Sequence, residues 1–160
     1  MSGAFSFRDA VPGDEAIVAG FVQALAEYEK LSHEAVATEA DFARALFGAP
    51  ARCQAMIVEA DGQPVGFALW FYNFSTFTGR PGLYLEDVYV LPERRGQGIG
   101  RAVFRELARR AIAEGCARME WSVLDSNAPA VKFYRSLGAR PKDEWTMQQL
   151  SGETLAAVAA

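Results

Sequence analysis

The chain has 160 residues, a formal net charge of −4, two cysteines and one histidine, and these values exclude several classes of protein. A chain of this length is most simply a single domain spanning residues 1–160. The negative charge argues against nucleic acid or an anionic membrane as the main partner. Two cysteines and one histidine make neither a disulfide framework nor a zinc site, so we expect no metal.

From the sequence we expect neither a signal peptide nor a membrane helix. The first ten residues have neither the basic segment nor the apolar core of a signal peptide. No apolar run approaches the ~20 residues that a membrane helix needs. We therefore expect a cytoplasmic protein with no membrane partner.

The first half of the chain alternates between strand and helix patterns. Phe5 and Phe7 alternate with polar residues and predict a strand near residues 4–9. A helix follows from Asp14, with its apolar face at helical spacing. Thr38 and Asp41 resemble the cap of a second helix, which Gly48 ends. The apolar face of the first helix comprises Ile17, Phe21, Leu25 and Tyr28.

A hairpin and a third strand occupy the middle of the chain. Residues 55–60 and 64–74 flank Asp61-Gly62, which is a strong signal for a two-residue hairpin turn. A second turn over residues 76–82 leads to a mostly buried strand at 83–91.

The second half predicts helices at about 99–115 and 128–137, separated by a strand at 119–124. We expect a last strand at 145–150 and a short helix at 152–160. The helix at 99–115 places Val103, Leu107 and Ala111 inward and Arg105, Arg109, Arg110 and Glu114 outward. This order predicts an α+β fold with a mixed, mostly antiparallel twisted sheet of about six or seven strands and about four or five flanking helices.

The stretch LYLEDVYVLPERRGQGIGR, residues 83–101, carries the strongest functional signal. A strand, a turn with Gly96, Gly98 and Gly100, and a helix start together form an anion site. The glycine spacing fits neither the phosphate loop of nucleotide hydrolases nor the dinucleotide fingerprint. It does match Arg/Gln-x-x-Gly-x-Gly/Ala, through Arg95, Gly98 and Gly100.

That signature resembles the pyrophosphate loop of the GNAT acetyltransferase superfamily. Four segments resemble its diamine acetyltransferase branch, the spermidine/spermine and thialysine acetyltransferases. These segments are residues 25–31, 83–90, 92–100 and 123–139. The resemblance implies a three-layer GNAT fold, acetyl-CoA as co-substrate and a homodimer. It also implies direct attack by the amine in a ternary complex, without a covalent acyl-enzyme.

Two residues are candidates for acid–base chemistry. An amine with a pKa near 10 is only about one part in 10³ neutral at pH 7, so acetyl transfer needs a proton acceptor. Glu86 lies in an apolar strand, and the resemblance makes it the acceptor, acting through water. A buried ion pair, for example with Arg8, is the alternative. Asp87 should face the opposite side of the strand and be structural or a secondary substrate contact.

Tyr134 matches the family tyrosine that protonates the coenzyme A sulfur. The alternative interpretation is that Tyr134 only packs in the core. Asn127 should begin the same helix as its N-cap, and the resemblance adds a hydrogen bond to the cofactor. The cofactor residues that the resemblance implies are Val88, Tyr89, Val90, Arg95, Gly96, Gln97, Gly98, Ile99, Gly100, Arg101, Asn127, Ala130 and Tyr134.

The resemblance places the amine against Tyr28, Glu29, Glu86 and Asp87. The alternative for Tyr28 is a role in the apolar core. The alternative for Glu29 is a solvent-exposed charge with no role in binding. Polyamine enzymes of the branch carry an acidic residue where this chain has Ser75-Thr76-Phe77. The expected acceptor is therefore thialysine or a lysine-like amino acid rather than a polyamine. A protein lysine or N-terminal acetyltransferase and a non-catalytic acetyl-CoA-binding module are the alternatives.

Overall fold

The structure, a computed structural model, describes residues 4–160. Residues 1–3, which are part of the segment lacking signal-peptide character, lie outside the described residues. The chain forms two compact units, one ending at Ser122 and one running from Val123 to Ala160.

The first unit is built on a five-stranded sheet. Its strands are β1 (Phe5–Asp9), β2 (Gln54–Ala60), β3 (Gln63–Ser75), β4 (Arg80–Val90) and β5 (Arg118–Glu120), in that order across the sheet. All neighbouring pairs are antiparallel except β4 and β5, which are parallel. The predicted fold class, a mixed and mostly antiparallel α+β sheet, is confirmed.

The predicted hairpin is present between β2 and β3. Its turn residues Asp61 and Gly62 both have positive φ, 54° and 72°. Two successive left-handed residues are what a tight turn needs to match the twist of the flanking strands. Asp and Gly tolerate that conformation, which explains why the local sequence predicted the turn.

Three helices cover the sheet of the first unit: α1 (Glu15–Glu29), α2 (Glu39–Phe47) and α3 (Ile99–Ala113). On one face, Val18 and Phe21 of α1 and Leu46 of α2 pack on Ile57 and Phe67 of the sheet. The rings of Phe21 and Phe67 stack 5.5 Å apart. The predicted cap at Thr38 and Asp41 is a reciprocal capping box.

α3 covers the opposite face, and one of its arginines departs from expectation. Arg110, expected to point outward, lies with its guanidinium 5.4 Å from the ring centroid of the buried Trp70. It also forms ion pairs with Asp9 at 2.7 Å and Glu106 at 2.9 Å. The long aliphatic part of an arginine can cover apolar surface while its guanidinium keeps charged partners. The prediction that Arg110 points outward did not take this into account.

The second unit contains α4 (Ala128–Ser136) and α5 (Gly152–Ala159). The helices predicted at 128–137 and 152–160 are therefore confirmed, and Gly138 after α4 has a φ of +89°. The strand predicted at 145–150 is wrong: these residues form no strand, and Trp145 is 69% exposed. A segment becomes a strand only where a neighbouring strand can accept and donate its backbone hydrogen bonds, and a local sequence does not show whether one is present.

The sheet therefore has five strands within the described residues, fewer than the six or seven predicted. β5 is also shorter than the predicted 119–124, because only Arg118–Glu120 pairs with β4. None of the helices in residues 4–160 combines the length and the hydrophobicity that crossing a bilayer requires.

Candidate active site

β4 carries a β-bulge at Glu86. Asp87 lies opposite Leu69 and Leu85 lies opposite Trp70, so Glu86 has no counterpart on β3. A bulge interrupts the alternation of side chains and re-aims the residues around it. The expectation that Glu86 and Asp87 face opposite sides assumed a regular strand, so at this bulge it stays a prediction. Bulges are frequent next to active sites.

Asp87 lies within electrostatic range of two other carboxyl groups, those of Glu86 and of Glu29 at the end of α1. Asp87 is half-buried and lies opposite Leu69, on the face of the sheet that α1 and α2 cover. Burial, then the charge of Glu86 and then that of Glu29 raise the pKa of Asp87 from 3.8 to about 6. Burial also raises the pKa of Glu29, the last residue of α1. The three carboxyl groups form a negative surface suited to a cationic amine.

Arg8 does not pair with Glu86. Its guanidinium binds Asp14 through two hydrogen bonds of 2.6 and 3.0 Å, and Glu59 through one of 2.7 Å. The partner Asp14 is 6% exposed, and its pKa is lowered chiefly by this hydrogen bonding. Glu86 itself is exposed. The alternative interpretation of Glu86, a buried ion pair with Arg8, is therefore wrong.

The loop after β4 has the geometry of an anion site. A single 3-10 turn at Pro92–Arg94 leads to Gly96 and Gly98, whose φ values are +75° and +84°. No protein atom lies within 4 Å of where a Cβ would stand at either glycine, among the residues described. α3 then begins with no side-chain hydrogen bond to its first turn and no acidic residue in it. The open backbone and the helix N-terminus fit a pyrophosphate.

The position of the loop is fixed at two points. Ile99 is 2% exposed and anchors the start of α3 in the core. Arg94 pairs with Asp61 of the hairpin turn at 2.7 Å. Gln97 donates from Nε2 to the Glu93 carbonyl at 3.2 Å. Gly100 and Arg101 lie in the first turn of α3, where N–H groups of the helix start are directed away from its body.

The second half of β4 has a strand on one side only. β5 pairs with Gly82–Tyr84, whereas Val88–Val90 pair with β3 and with no second strand of the described residues. One edge of this segment therefore has no strand beside it, and on that edge the Val90 carbonyl accepts a hydrogen bond from Arg95 Nε. The backbone of this segment lies close to Gly66 of β3, where a Cβ would stand 2.6 Å from the Tyr89 carbonyl oxygen.

Arg95 connects the loop to α1 and β4. Its guanidinium carbon lies 4.8 Å from the ring centroid of Tyr28 and 5.2 Å from that of Tyr89. Its Nε donates to the Val90 carbonyl at 2.9 Å. The loop signature predicted an arginine at this position but gave no sign of these ring contacts, because Tyr28 is distant in sequence. No local pattern would have found them.

Neither cysteine is activated as a nucleophile. Burial and, to a smaller extent, the charge of Glu86 raise the pKa of the Cys53 thiol. Burial and the charge of Glu114 do the same at Cys116. A raised pKa keeps a thiol protonated and unreactive. Within residues 4–160, no group of three or more histidine, cysteine, aspartate or glutamate side chains is arranged to hold a metal.

Three predicted cofactor residues belong to the second unit. Asn127 is the N-cap of α4, as predicted, and its Oδ1 accepts from the Ala130 N–H at 3.3 Å. Tyr134 lies on α4, half-buried, with its ring centroid 5.6 Å from that of Phe133. The N-cap role of Asn127 is thus established by the geometry, and the roles of Ala130 and Tyr134 toward a cofactor stay predictions.

The strand, glycine loop and helix N-terminus fit the binding of an anionic ligand, and sequence comparison shows the class of protein: an acetyltransferase. The chain belongs to the acetyltransferase (GNAT) family, whose sequence model matches residues 18–139. It is 38% identical to the thialysine N-epsilon-acetyltransferase of Sus scrofa over 159 residues, covering 92% of this chain and 93% of that one. The resemblance to this branch of the family is thereby confirmed.

Two further comparisons extend this result. The L-ornithine N5-acetyltransferase of Arabidopsis thaliana is 36% identical over 93 residues, which are 58% of this chain and 41% of that protein. Among solved structures, an integron cassette protein from the mobile metagenome of V. cholerae superposes with a TM-score of 0.81 at 26% identity. The match covers 99% of this chain and 98% of the other, which confirms the fold.

Proposed function

We propose that this protein transfers an acetyl group from acetyl-CoA to a primary amine of a small molecule that carries further charged groups. The preferred acceptor is thialysine or a lysine-like amino acid, with diamines as weaker acceptors. The observation that carries the proposal is the carboxyl cluster of Glu29, Glu86 and Asp87 beside the anion-binding loop. Negative charge attracts the ammonium, while the helix N-terminus receives the opposite charge of the cofactor.

In this proposal, Asp87 binds the amine and Glu86 accepts its proton. Asp87 is half-buried and binds the ammonium form of the acceptor by charge. Glu86 is exposed at the bulge, where water reaches it, and accepts the proton from the amine through such a water. Tyr28 and Glu29, at the end of α1, complete the amine-binding surface.

The cofactor is held by backbone groups in this proposal. When bound, acetyl-CoA supplies the activated acetyl group. The N–H groups from Arg95 to Arg101 bind its pyrophosphate, and the open edge of Val88–Val90 pairs with its pantetheine amides. Asn127 and Ala130 contact it from α4, and the Tyr134 hydroxyl donates a proton to the departing sulfur. The raised thiol pKa of both cysteines supports direct transfer without an acyl-enzyme.

The choice of acceptor rests on similarity to named enzymes and on one difference from the polyamine acetyltransferases. Two similar proteins are named for thialysine and for L-ornithine, both of which are amino acids with a side-chain amine. The segment Ser75-Thr76-Phe77 has no acidic residue to hold the second ammonium of a polyamine. Both points support an amino-acid acceptor over spermidine.

The experiment is thiol release from acetyl-CoA across a panel of thialysine, lysine, ornithine, spermidine, spermine, diaminopropane and a histone peptide. Turnover highest with a lysine-like amino acid supports the proposal. Turnover highest with the peptide would instead show a protein-directed acetyltransferase. Acetyl-CoA binding, measured by calorimetry, without turnover of any amine would show a non-catalytic binding module.

Three further predictions belong to this proposal. The family match over residues 18–139 extends across both compact units, which supports a single functional domain for residues 1–160. The homodimer is a prediction from family resemblance, and sedimentation equilibrium checks it. The cytoplasmic location is likewise a prediction, and cell fractionation checks it.

A further inference from the structure

Arg95 lies in the glycine loop and contacts both the end of α1 and β4. Its guanidinium carbon lies over the ring of Tyr28 at the end of α1 and over the ring of Tyr89 on β4, at 4.8 and 5.2 Å from the ring centroids. Its Nε is also bonded to the Val90 carbonyl. One hydrogen bond and two ring contacts thus act together on the position of the guanidinium.

The two rings differ in how firmly the rest of the protein holds them. Tyr89 is 8% exposed and packs against Phe21 in the core, so it is a rigid base for the guanidinium. Tyr28 is 44% exposed, so core packing contributes less to its position. α1 also has no basic residue in its last turn. Lys30, the C-cap residue, is basic, and the Arg95 guanidinium adds a second positive charge near this helix end.

We propose that the Arg95 side chain is a positioning residue of the amine site: clamped between Tyr28 and Tyr89, it fixes the end of α1 and holds Glu29 close to Asp87. This role rests on the proposed function and names a specificity determinant within it. It differs from the role implied by the loop signature, in which Arg95 belongs to the pyrophosphate site. The backbone N–H of Arg95 remains available for that site, while its side chain serves the amine side.

The substitution Arg95→Lys separates the two roles. Lysine keeps the positive charge that a phosphate would require, but it has no planar group to stack between two rings. We expect the KM for the amine to rise about 3- to 10-fold, because a lysine ammonium can neither stack flat on the rings nor keep the Nε hydrogen bond to the Val90 carbonyl. The Kd for coenzyme A, measured by calorimetry, should stay within about twofold of the wild-type value.

Hydrogen exchange of backbone amides at the end of α1 tests the proposal without the amine or acetyl-CoA. The amides of Lys30 and Leu31 close α1 by donating to the carbonyls of Glu27 and Ala26, at 3.1 and 2.8 Å. In Arg95→Lys these amides should exchange about 3- to 10-fold faster in the free protein, because the helix end loses its clamp. Arg94→Lys is the matched control, since Arg94 is the neighbouring arginine and pairs with Asp61 instead.

Substitutions of Tyr28 test the contact from the other side. Tyr28→Leu should reproduce the faster exchange of Arg95→Lys, and the double variant should add little to either single change. Tyr28→Phe keeps a ring and should retain most of the protection. Additive effects in the double variant would show that the two side chains act separately and would overturn the proposal.

Two other results would also overturn it. One is unchanged exchange of the α1 end in Arg95→Lys. The other is a large rise in the coenzyme A Kd without a change at α1, which would make Arg95 a phosphate ligand. A wild-type protein that acetylates no amine, but whose α1 end still responds to Arg95→Lys, would refute the proposed function and leave the clamp standing.

Discussion

The carboxyl groups of Glu29 and Asp87 belong to elements far apart in sequence, yet the charge of Glu29 contributes to raising the pKa of Asp87. Burial of Asp87 is the largest cause and the adjacent charge of Glu86 is the second. The site therefore stores unfavourable electrostatic energy in the absence of a cation. A bound ammonium would relieve it, and this relief links stability to substrate binding.

Asp87→Asn should stabilise the protein at high pH. The pKa of Asp87 is about 6 in the folded chain, above its ordinary 3.8, so the folded state binds the proton more tightly. Stability consequently falls as pH rises from about 4 to about 6, and the penalty stays constant above that range. At pH 8 we expect Asp87→Asn to gain roughly 1–3 kcal/mol in the free energy of unfolding, and to gain almost nothing below pH ~4.

Urea denaturation at the two pH values measures this difference. Glu27→Gln is the control, because Glu27 is an exposed carboxylate on the same helix as Glu29. A gain in Asp87→Asn that is equal at both pH values would contradict an electrostatic origin.

The pH dependence of catalysis should report the same group. If ionised Asp87 binds the ammonium of the acceptor, kcat/KM for the amine should fall as pH drops below about 6, the pKa of this carboxyl. Asp87→Asn should abolish this acid limb while lowering kcat/KM at pH 8. Thiol-release rates measured from pH 5 to 9 test both statements, and an unchanged acid limb in the variant would assign it to another group.

Glu86→Gln and Tyr134→Phe should each lower kcat by roughly 10²-fold, the usual range for removing an acid or base. Glu86→Gln should leave coenzyme A binding unchanged, since Glu86 is placed on the amine side and the substitution keeps the size of the side chain. Tyr84→Phe is a matched control, because it removes a phenol that bonds Ser122 at 3.0 Å. Full activity in either active-site variant would remove that residue from the proposed mechanism.

Gly66→Ala should damage the cofactor side of the site. A Cβ at residue 66 would lie 2.6 Å from the Tyr89 carbonyl oxygen and 3.3 Å from the Val90 Cα. β4 must then move away from β3 in the segment proposed to bind pantetheine. We expect a loss of about 1–3 kcal/mol in stability, as for other overpacked sites, with a weaker affinity for coenzyme A.

The control for this change is Gly20→Ala on α1, where the added Cβ meets no atom within 4 Å. An alanine in a helix interior should stabilise the protein by roughly 0.5–1 kcal/mol relative to glycine. Equal effects of the two substitutions on coenzyme A binding would show that crowding at β4 is not the cause.

Local chemistry made much of this fold predictable. Asp61-Gly62 and the Thr38–Asp41 cap are short-range signals, because the hydrogen bonds and φ values they require involve neighbouring residues. The glycine loop before α3 was predictable for the same reason. These features needed no knowledge of what lies across the sheet.

The features that were missed depend on distant partners. The bulge at Glu86 exists only relative to β3, whose Leu69 and Trp70 pair with residues on either side of it. The ring contacts of Arg95 require α1 and β4 to be in place. The strand expected at 145–150 has no neighbouring strand to pair with among the described residues. Register and partners arise from the whole chain, so a single segment cannot specify them.

The three tryptophans differ in their surroundings, and this gives the protein its own fluorescent reporters. Trp70 is 1% exposed, Trp121 stands edge-on to Phe104 at 5.0 Å, and Trp145 is 69% exposed in the second unit. Iodide in solution will quench Trp145 emission first, while Trp70 emits at shorter wavelength from its apolar site. Unfolding of each unit can thus be followed by emission colour and quenching, without an added dye.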